Sequence, residues 1–173
     1  MTSLYPTQVH VDLNAIRHNF REVRRVVPES QRILCVVKSN AYGHGIEEVG
    51  AALVKEGADF FGVRDISEGR ALRKAGIKAP ILLLLGIIDD AFRELVQYQL
   101  TPVIYDLSRA RAFNEYLKLH QLSHPVHVKV DTGMSRLGVP VEQVPFFMGK
   151  LKELKVRYEV LEAENILMMN SSE

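Results

Sequence analysis

Apolar residues occur along the chain in two alternating patterns, short unbroken runs and longer segments with helical spacing. Residues 33–37 and 81–85 are wholly apolar and consist almost entirely of aliphatic side chains. Runs of this length predict strands that are buried on both faces, as in a parallel sheet. Between 15 and 27, by contrast, Ile16, Phe20 and Val23 recur at intervals of three and four residues, which predicts a helix with one apolar face.

The same patterns, combined with turn and capping residues, divide the whole chain into alternating strands and helices. Pro28 ends the first predicted helix, Gly57 and Gly76 close the next two, and Asp106 caps a later one. Predicted helices cover 15–27 (capped by Asp12 or Asn14), 46–56, 66–75, 89–98 (starting at Asp89 or Asp90), 107–120 and 141–154. Predicted strands cover 9–13, 33–37, 60–63, 81–85, 101–105, 126–130 and 156–161.

Strands that alternate with helices of about ten residues or more predict repeated βαβ units and a parallel sheet. The connections are short, and nothing in the order of the units indicates a reversal of strand order. The pattern therefore favours a TIM-type (β/α) barrel over a doubly wound sheet. We find no linker, low-complexity tract or internal repeat that would divide the chain.

Composition is that of a globular protein, with 173 residues of which 47% are hydrophobic. The 22 basic and 21 acidic residues balance, so charge gives no reason to expect nucleic acid or a membrane as a partner. The single cysteine, Cys35, excludes an intrachain disulfide and a cysteine-based metal site, and we predict no metal. Its place in an apolar run indicates a buried core residue in a reducing compartment. With no signal peptide and no membrane-spanning run, we expect a cytoplasmic protein.

Lys38 directly follows the buried run 33–37 and precedes the glycine-containing segment 41–45. A lysine at the carboxyl end of a buried strand is desolvated, which lowers its pKa and favours the neutral amine. A neutral amine is a nucleophile that can form a Schiff base with an aldehyde. Gly43 and Gly45 allow a sharp turn and a close approach to a ligand. The pattern is consistent with a catalytic lysine, and also with a solvated lysine beside an ordinary loop.

Residues 126–139 repeat this design, because an apolar strand is followed by polar residues and a glycine loop. Ligand sites of TIM-type barrels lie at the carboxyl ends of the strands, so this loop and Lys38 are expected on one face. Arg136 carries a planar guanidinium that matches a carboxylate or a phenolate oxygen. It could equally be a surface arginine, and Lys129 could be an inward-pointing residue satisfied by a neighbouring carboxylate.

Both stretches resemble motifs of one enzyme family. Residues 36–45 read Val-Val-Lys-Ser-Asn-Ala-Tyr-Gly-His-Gly and closely resemble the pyridoxal-phosphate attachment motif V-V-K-A-N-A-Y-G-H-G of the alanine racemase family, with Ser39 as the one departure. Residues 129–138 resemble the family's K-V-D-T-G-M-x-R-L-G motif at every fixed position. The resemblance covers roughly 9–162. It implies a pyridoxal 5'-phosphate-dependent isomerase of fold type III, a homodimer that interconverts L-alanine and D-alanine and supplies D-alanine for cell-wall peptidoglycan.

The resemblance also implies a role for each matching residue. Lys38 would hold the cofactor and act as one of two catalytic bases, and Tyr42 would hydrogen-bond the phosphate. Arg136 would contact the ring hydroxyl and the substrate carboxylate, with help from the backbone amide of Met134. Lys129 would be the lysine that many members carry as a carbamate, an anion that would hold Arg136 in place. In the family the second base is a tyrosine from the carboxy-terminal domain of the partner subunit.

The resemblance ends after Glu162. The family continues L-E-G-I-x-[ST]-H-F, whereas residues 161–169 read Leu-Glu-Ala-Glu-Asn-Ile-Leu-Met-Met and contain no histidine. We therefore expect an amino-terminal barrel portion at 1–162 and a divergent tail at 163–173, as after a frameshift or a premature end. The expected fold is a partial (β/α)8 barrel that lacks its last units and the carboxy-terminal β domain. An open sheet exposes an edge, which predicts poor solubility or association.

Three functions remain compatible with these observations. The first is alanine racemase, with little or no racemisation by this chain alone because the second base is missing. The second, favoured by the short length, is a single-domain pyridoxal-phosphate-binding barrel of cofactor homeostasis without racemase activity. The third is a non-catalytic remnant that folds in part and binds nothing.

Overall fold

The computed structural model describes residues 9–87 and 91–154, together with the backbone of Tyr158–Glu159. Helices and strands alternate through these residues. The helices are α1 (Leu13–Val26), α2 (Lys38–Tyr42), α3 (Ile46–Lys55), α4 (Ile66–Lys74), α5 (Phe92–Gln97), α6 (Leu107–Leu119) and α7 (Val144–Leu154), the last preceded by a 3-10 turn at Val141–Gln143. The strands are β1 (Leu34–Val36), β2 (Phe60–Val63), β3 (Ile81–Leu83), β4 (Leu100–Ile104), β5 (Val126–Val128), β6 (Val130–Asp131), β7 (Val139–Pro140) and β8 (Tyr158–Glu159).

Six strands form one sheet in the order β1-β2-β3-β4-β5-β8, and every neighbouring pair is parallel. β6 and β7, which lie between β5 and β8 in the sequence, form a separate two-stranded sheet. The order advances in one direction without a reversal, as in the wall of a TIM-type barrel and unlike a doubly wound sheet. The predicted fold class, a part of a (β/α) barrel with parallel strands, is confirmed.

Each long strand is buried on both faces, as the unbroken apolar runs predict. Alternate residues enter two different clusters. Cys35 belongs to the large cluster between the sheet and the helices, whereas Leu34 and Val36 join a small cluster on the other face. On that second face Gly62 leaves room for its neighbours, since a Cβ there would lie 3.0 Å from Leu84 Cδ1. The sheet therefore separates two apolar layers, as a barrel wall does.

Most predicted element boundaries hold to within two residues, and one element was predicted wrongly. Residues 9–13 were expected to form a strand, but Leu13 already begins α1 and no strand precedes it from residue 9 onward. Asp12 caps the helix, because its carboxylate accepts hydrogen bonds from the amides of Asn14 at 2.8 Å and Ala15 at 3.3 Å. The predicted capping role of Asp106 is confirmed by a 2.9 Å bond from the Arg109 amide.

Of the remaining predicted elements, one strand is divided in the structure, and others lie partly or wholly outside the described residues. The strand expected at 126–130 divides after Val128, and Val130–Asp131 pairs with β7 instead of continuing the main sheet. The predicted helix start at Asp89 or Asp90 lies outside the described residues, and among the described residues α5 begins at Phe92. Only Tyr158–Glu159 is described of the strand expected at 156–161, and the proposed tail at 163–173 lies outside the described residues as well.

Arg73 ties together the segments that enter β3 and β4. Its guanidinium donates to the carbonyls of Ile77 and Ala79 at 2.7 Å, of Tyr98 at 2.9 Å and of Gln99 at 3.0 Å. Burial lowers the pKa of this arginine. The four carbonyls would otherwise lack these partners at the amino-terminal ends of two adjacent strands, so Arg73 is a structural residue at the end of the sheet opposite Lys38.

We expect Arg73→Met to lower the free energy of unfolding by about 2 to 4 kcal/mol, because it removes charge-assisted hydrogen bonds to partly buried carbonyls. Urea denaturation followed by circular dichroism measures this loss. The matched control is Lys74→Met, which removes the exposed cation next to it on the same helix and should change stability by less than about 0.5 kcal/mol. Equal effects of the two substitutions would contradict the structural role of Arg73.

Candidate functional site

Lys38 lies at the carboxyl end of β1, where the chain leaves the sheet. The pairing with β2 extends one residue past the strand, since the Val37 amide donates to the Gly62 carbonyl at 2.8 Å. Val37 is buried, and Lys38 is the first partly buried residue after it. The Lys38 ammonium nitrogen stands 6.0 Å from the centre of the Tyr42 ring, which is 37% exposed. The amine and the tyrosine therefore share the edge of the sheet where barrel enzymes bind their ligands.

The backbone after Lys38 is left-handed over four consecutive residues. Ser39, Asn40, Ala41 and Tyr42 have φ between 53° and 56°, and none of them is glycine. Ser39, Asn40 and Ala41 also have ψ between 46° and 49°, the values of a left-handed helical turn. Each such residue costs roughly 1 to 2 kcal/mol, with asparagine the least affected. Strain of this size persists only where the surroundings hold it, and it concentrates at functional sites.

The buried carboxylate of Glu68 holds the start of this turn. Glu68 lies in the first turn of α4 and is 8% exposed. Its Oε1 accepts from the amides of Ser39 at 2.6 Å and Asn40 at 3.3 Å, and its Oε2 accepts from the amide of Arg64 at 2.8 Å. The first amides of a helical turn have no partner within the turn. Glu68 supplies that partner from another element.

The end of the turn is fixed by side chains and glycines within the same segment. Asn40 Oδ1 accepts from the Ile46 amide at 2.9 Å and thereby caps α3, whose N-cap residue is a glycine. His44 Nδ1 stands 2.9 Å from the Ala41 carbonyl. Gly43 and Gly45 have φ of 87° and 91°, values that glycine adopts without strain. The predicted glycine turn after Lys38 is therefore present, and it continues directly from the left-handed turn.

Lys129 approaches the same edge from β5. Its amide donates to the Ile104 carbonyl at 3.0 Å, and its Nζ donates to the Leu84 carbonyl at 3.3 Å. Burial lowers the pKa of Lys129, and the charges of Arg136 and then Lys38 lower it further, against a smaller opposing effect of Asp131. Two cations from separate parts of the sequence, Lys38 and Arg136, are thus close enough to Lys129 to disfavour its charged form. Such a cluster favours anionic ligands.

The loop between β6 and β7 is built around Asp131. Its Oδ1 accepts from the Ser135 amide at 2.9 Å and the Gly133 amide at 3.0 Å, and these bonds, with a smaller effect from the Met134 amide, lower the pKa of the carboxyl. At the far end, a Cβ on Gly138 would lie 2.5 Å from the Asp131 amide nitrogen, so only glycine fits. The predicted loop is compact, and Arg136 lies exposed at its rim.

The structure places four of the predicted site residues at one edge of the sheet, whereas the amide of the fifth, Met134, interacts within its own loop. Lys38, Tyr42, Lys129 and Arg136 lie at the carboxyl edge of the sheet, as expected for a barrel site. Met134 is 71% exposed, and its amide acts on Asp131 within the loop. Its predicted contact with a substrate carboxylate stays a prediction.

Two further features complete the chemical survey of the site. Cys35 is buried, as predicted, and burial raises the pKa of its thiol to about 12, so it is an inert core residue. Across residues 9–87 and 91–154, no group of three histidine, cysteine, aspartate or glutamate side chains is placed to hold a metal ion. No helix in the described part of the chain is long and apolar enough to cross a bilayer.

Sequence analysis missed Glu68 and the structural role of Asn40. A signal for Glu68 was present, because Asp65 and Glu68 have the spacing of a capping box, in which the glutamate reaches back to the amide of the capping residue. Half of that motif forms, since the Glu68 amide donates to Asp65 Oδ1 at 3.2 Å. The Glu68 carboxylate, however, bonds the Arg64 amide and α2, and no local pattern indicates this long-range contact.

Comparison with known proteins agrees with these motifs. The family described as alanine racemase, N-terminal domain, matches residues 11–162. The chain belongs to this family. It is 44% identical over 153 residues to the alanine racemase of Geobacter sp. (strain M21), covering 87% of this chain and 40% of that protein. It is 41% identical to the alanine racemase of Geobacter sulfurreducens over 150 residues, or 87% of this chain and 39% of that protein.

Solved alanine racemases have the same fold in this region. The enzyme from Clostridium difficile 630 in complex with cycloserine superposes with a TM-score of 0.83 at 34% identity, over 92% of this chain and 44% of that one. The enzyme from Bartonella henselae with covalently bound pyridoxal phosphate gives a TM-score of 0.71 at 28% identity, over 81% and 42%. The chain therefore spans about two fifths of the length of the relatives it matches.

Proposed function

We propose that this chain forms the cofactor-binding barrel portion of an alanine racemase, which interconverts L-alanine and D-alanine with pyridoxal 5'-phosphate. The observation that carries the proposal is the placement of Lys38, which leaves β1 through a left-handed turn beside Tyr42 and shares its edge of the sheet with Lys129 and Arg136. Two separate parts of the sequence supply these residues. The strained backbone beside Lys38 also distinguishes this arrangement from a chance cluster of surface cations, because such a cluster can form on unstrained backbone.

The residues at this edge fit the chemical groups of the cofactor. Pyridoxal 5'-phosphate carries an aldehyde, a phosphate and a ring hydroxyl. An amine on a fixed backbone suits the aldehyde, the hydroxyl of Tyr42 suits the phosphate, and the guanidinium of Arg136 suits the ring oxygen and a substrate carboxylate. The repulsion of a charged Lys129 by Lys38 and Arg136 would be relieved by these anions. The left-handed turn and the two glycines place backbone next to the Lys38 amine, and the absence of glycine side chains lets a ligand come close to that backbone.

When bound, the cofactor would supply an electron sink that makes the Cα proton of the substrate acidic. Lys38 would hold the cofactor through its Nζ, and as a free amine the same Nζ would carry a proton to or from one face of the substrate. Arg136 orients the substrate carboxylate, and the Met134 amide would assist if it turned away from Asp131. The opposite face needs a second base, which the family takes from a partner subunit, so we infer a homodimer as the active form.

Lys129 has a second, linked role in the proposal. Carbamate formation joins the neutral amine of Lys129 to carbon dioxide and releases a proton to solvent, so a side chain that is otherwise an ammonium becomes an anion. The lowered pKa of Lys129 enlarges the neutral fraction at a given pH. The product would attract Arg136 where the ammonium repels it. We therefore infer that Lys129 is carbamylated and that the modification fixes the guanidinium of Arg136 at the site.

A cytoplasmic location and the supply of D-alanine to the cell wall follow from the proposed reaction and stay predictions, as does association through an open sheet edge. The alternative, a cofactor-homeostasis barrel without racemase activity, shares the attachment of the cofactor to Lys38. What favours the racemase is the Asp131-centred loop, because it presents Arg136 for a substrate carboxylate in addition to the groups that a cofactor alone needs.

Cofactor attachment is tested by borohydride reduction after mixing the chain with pyridoxal 5'-phosphate, followed by peptide mass mapping. We expect the reduced adduct on Lys38 and its loss in Lys38→Ala, because attachment needs that amine. Lys129 is the internal competitor, since its lowered pKa favours a neutral amine, and exposed Lys55 is the control for nonspecific labelling. An adduct mainly on Lys129 or Lys55, or none at all, would refute the assignment of Lys38.

Carbamylation of Lys129 is tested by carbon-13 NMR in buffer that contains labelled bicarbonate. We expect a carbamate signal that is absent in Lys129→Arg and grows as pH rises, because protonation removes the reactive amine. Arg136→Gln should weaken the signal at a given pH, since removing that charge raises the pKa of Lys129. Arg25→Gln, on α1, is the matched control and should leave the signal unchanged. A signal that survives in Lys129→Arg would assign the modification elsewhere.

Proton exchange in deuterated water separates the racemase from the homeostasis barrel without requiring the second base. With the cofactor attached, we expect Lys38 to exchange the α-proton of one enantiomer of alanine much faster than that of the other, because it serves only one face. Free pyridoxal phosphate treats the two enantiomers alike and is the control. NMR of the recovered alanine gives both rates. Equal slow exchange by the chain and by free cofactor would favour the homeostasis barrel.

A further inference from the structure

We propose that Glu68 is a positioning residue for the lysine site, acting through the backbone that carries Lys38 and Tyr42. The inference rests on the proposed function for its meaning, but the contacts that carry it are independent of any cofactor. Glu68 belongs to α4, about thirty residues further along the chain than Lys38, and its carboxylate is almost completely shielded from solvent.

The contacts of Glu68 use both carboxylate oxygens. One oxygen accepts from the amides of Ser39 and Asn40, which directly follow Lys38, and the other accepts from the Arg64 amide at the end of β2. These donors lie on two neighbouring strand ends, so the carboxylate joins the exits of β1 and β2. Only a side chain with two acceptor atoms at its tip can serve both strand ends together, and a negative charge strengthens each bond.

The turn that Glu68 holds determines where two functional groups stand. Ser39, Asn40, Ala41 and Tyr42 are all left-handed, a conformation that an unsupported chain of non-glycine residues leaves readily. Release of the first amides would let the segment return to right-handed or extended backbone. That change would rotate the direction of the chain between Lys38 and Tyr42 and would separate the amine from the tyrosine ring that it now faces at 6.0 Å.

The decisive variant is Glu68→Met, which keeps most of the side-chain volume and removes every acceptor. We expect the rate of borohydride-trapped cofactor attachment at Lys38 to fall by about 10- to 100-fold, as for a misplaced reactive group. Arg73→Met is the stability-matched control, because it weakens the opposite end of the sheet without contacting α2. Glu47→Met, in the first turn of α3, is the charge-matched control. Wild-type trapping in Glu68→Met, or an equal loss in Arg73→Met, would overturn the proposal.

A cofactor-free readout keeps the proposal separate from the proposed function. Amide hydrogen exchange of Ser39 and Asn40 should accelerate in Glu68→Met while exchange in β3 and β4 keeps its protection. Competitive acetylation should change the labelling of Lys38 relative to exposed Lys55. Failure of the unsubstituted chain to trap the cofactor would refute the function, and these two measurements would still decide the role of Glu68: no change in either would refute it.

Glu68→Gln serves where the methionine variant does not fold. Its amide oxygen can satisfy one side only and carries no charge, so we expect an intermediate loss of trapping together with faster exchange at Ser39 and Asn40. Unchanged trapping and unchanged exchange in this variant would overturn the proposal, as would a loss of trapping with both amides still protected.

Discussion

The direction in which the backbone leaves β1 is the constraint on which the site depends. A parallel strand ends with its chain pointing out of the sheet, and a right-handed turn there would begin an ordinary crossover helix. Here the chain turns the other way for four residues before α3 begins. That reversal keeps Lys38, Tyr42 and the glycine turn together at the edge, and it is maintained by a carboxylate from α4 and by an asparagine that caps α3.

At this edge the fold brings cationic side chains together, although like charges repel one another. Burial depresses the pKa of Lys129, and the nearby charges of Arg136 and Lys38 depress it further. A protein selected only for stability would avoid such a cluster, because folding must overcome the repulsion without an anion to offset it. A ligand with two anionic groups, or a modification that inverts the charge of one lysine, removes the penalty. The unfavourable arrangement is therefore informative about what the site accommodates.

Sequence patterns predicted the sheet well because its strands are buried on both faces. An unbroken apolar run such as 81–85 has few alternatives in a soluble domain, and the glycine-closed helices between the runs are equally distinctive. The strand expected at 9–13 was wrong because apolar and polar residues alternate there, while the local capping bond of Asp12 decides the structure. Near the site, the two family motifs singled out the lysines and the arginine, and in the structure the charges of Arg136 and Lys38 both act on Lys129.

The left-handed turn could not have been predicted in the same way. Ser39, Ala41 and Tyr42 have no intrinsic preference for positive φ, and only Asn40 tolerates it readily. The energy that selects the turn comes from Glu68, which is distant in sequence and whose spacing from Asp65 indicates only a local cap.

Arg73 and Glu68 satisfy backbone groups at opposite ends of the sheet, with different consequences. Arg73 satisfies four backbone carbonyls at the amino-terminal end, and only one of them, that of Gln99, belongs to a left-handed residue, with φ of 50°. Glu68 also satisfies backbone groups, but at the carboxyl end, and the groups that it satisfies belong to a conformation that would not persist without it. The side-chain-to-backbone hydrogen bonds of these two residues therefore have different effects on the structure. Those of Arg73 lower the energy of the fold, whereas those of Glu68 select one conformation of a short segment and so determine where the amine of Lys38 points.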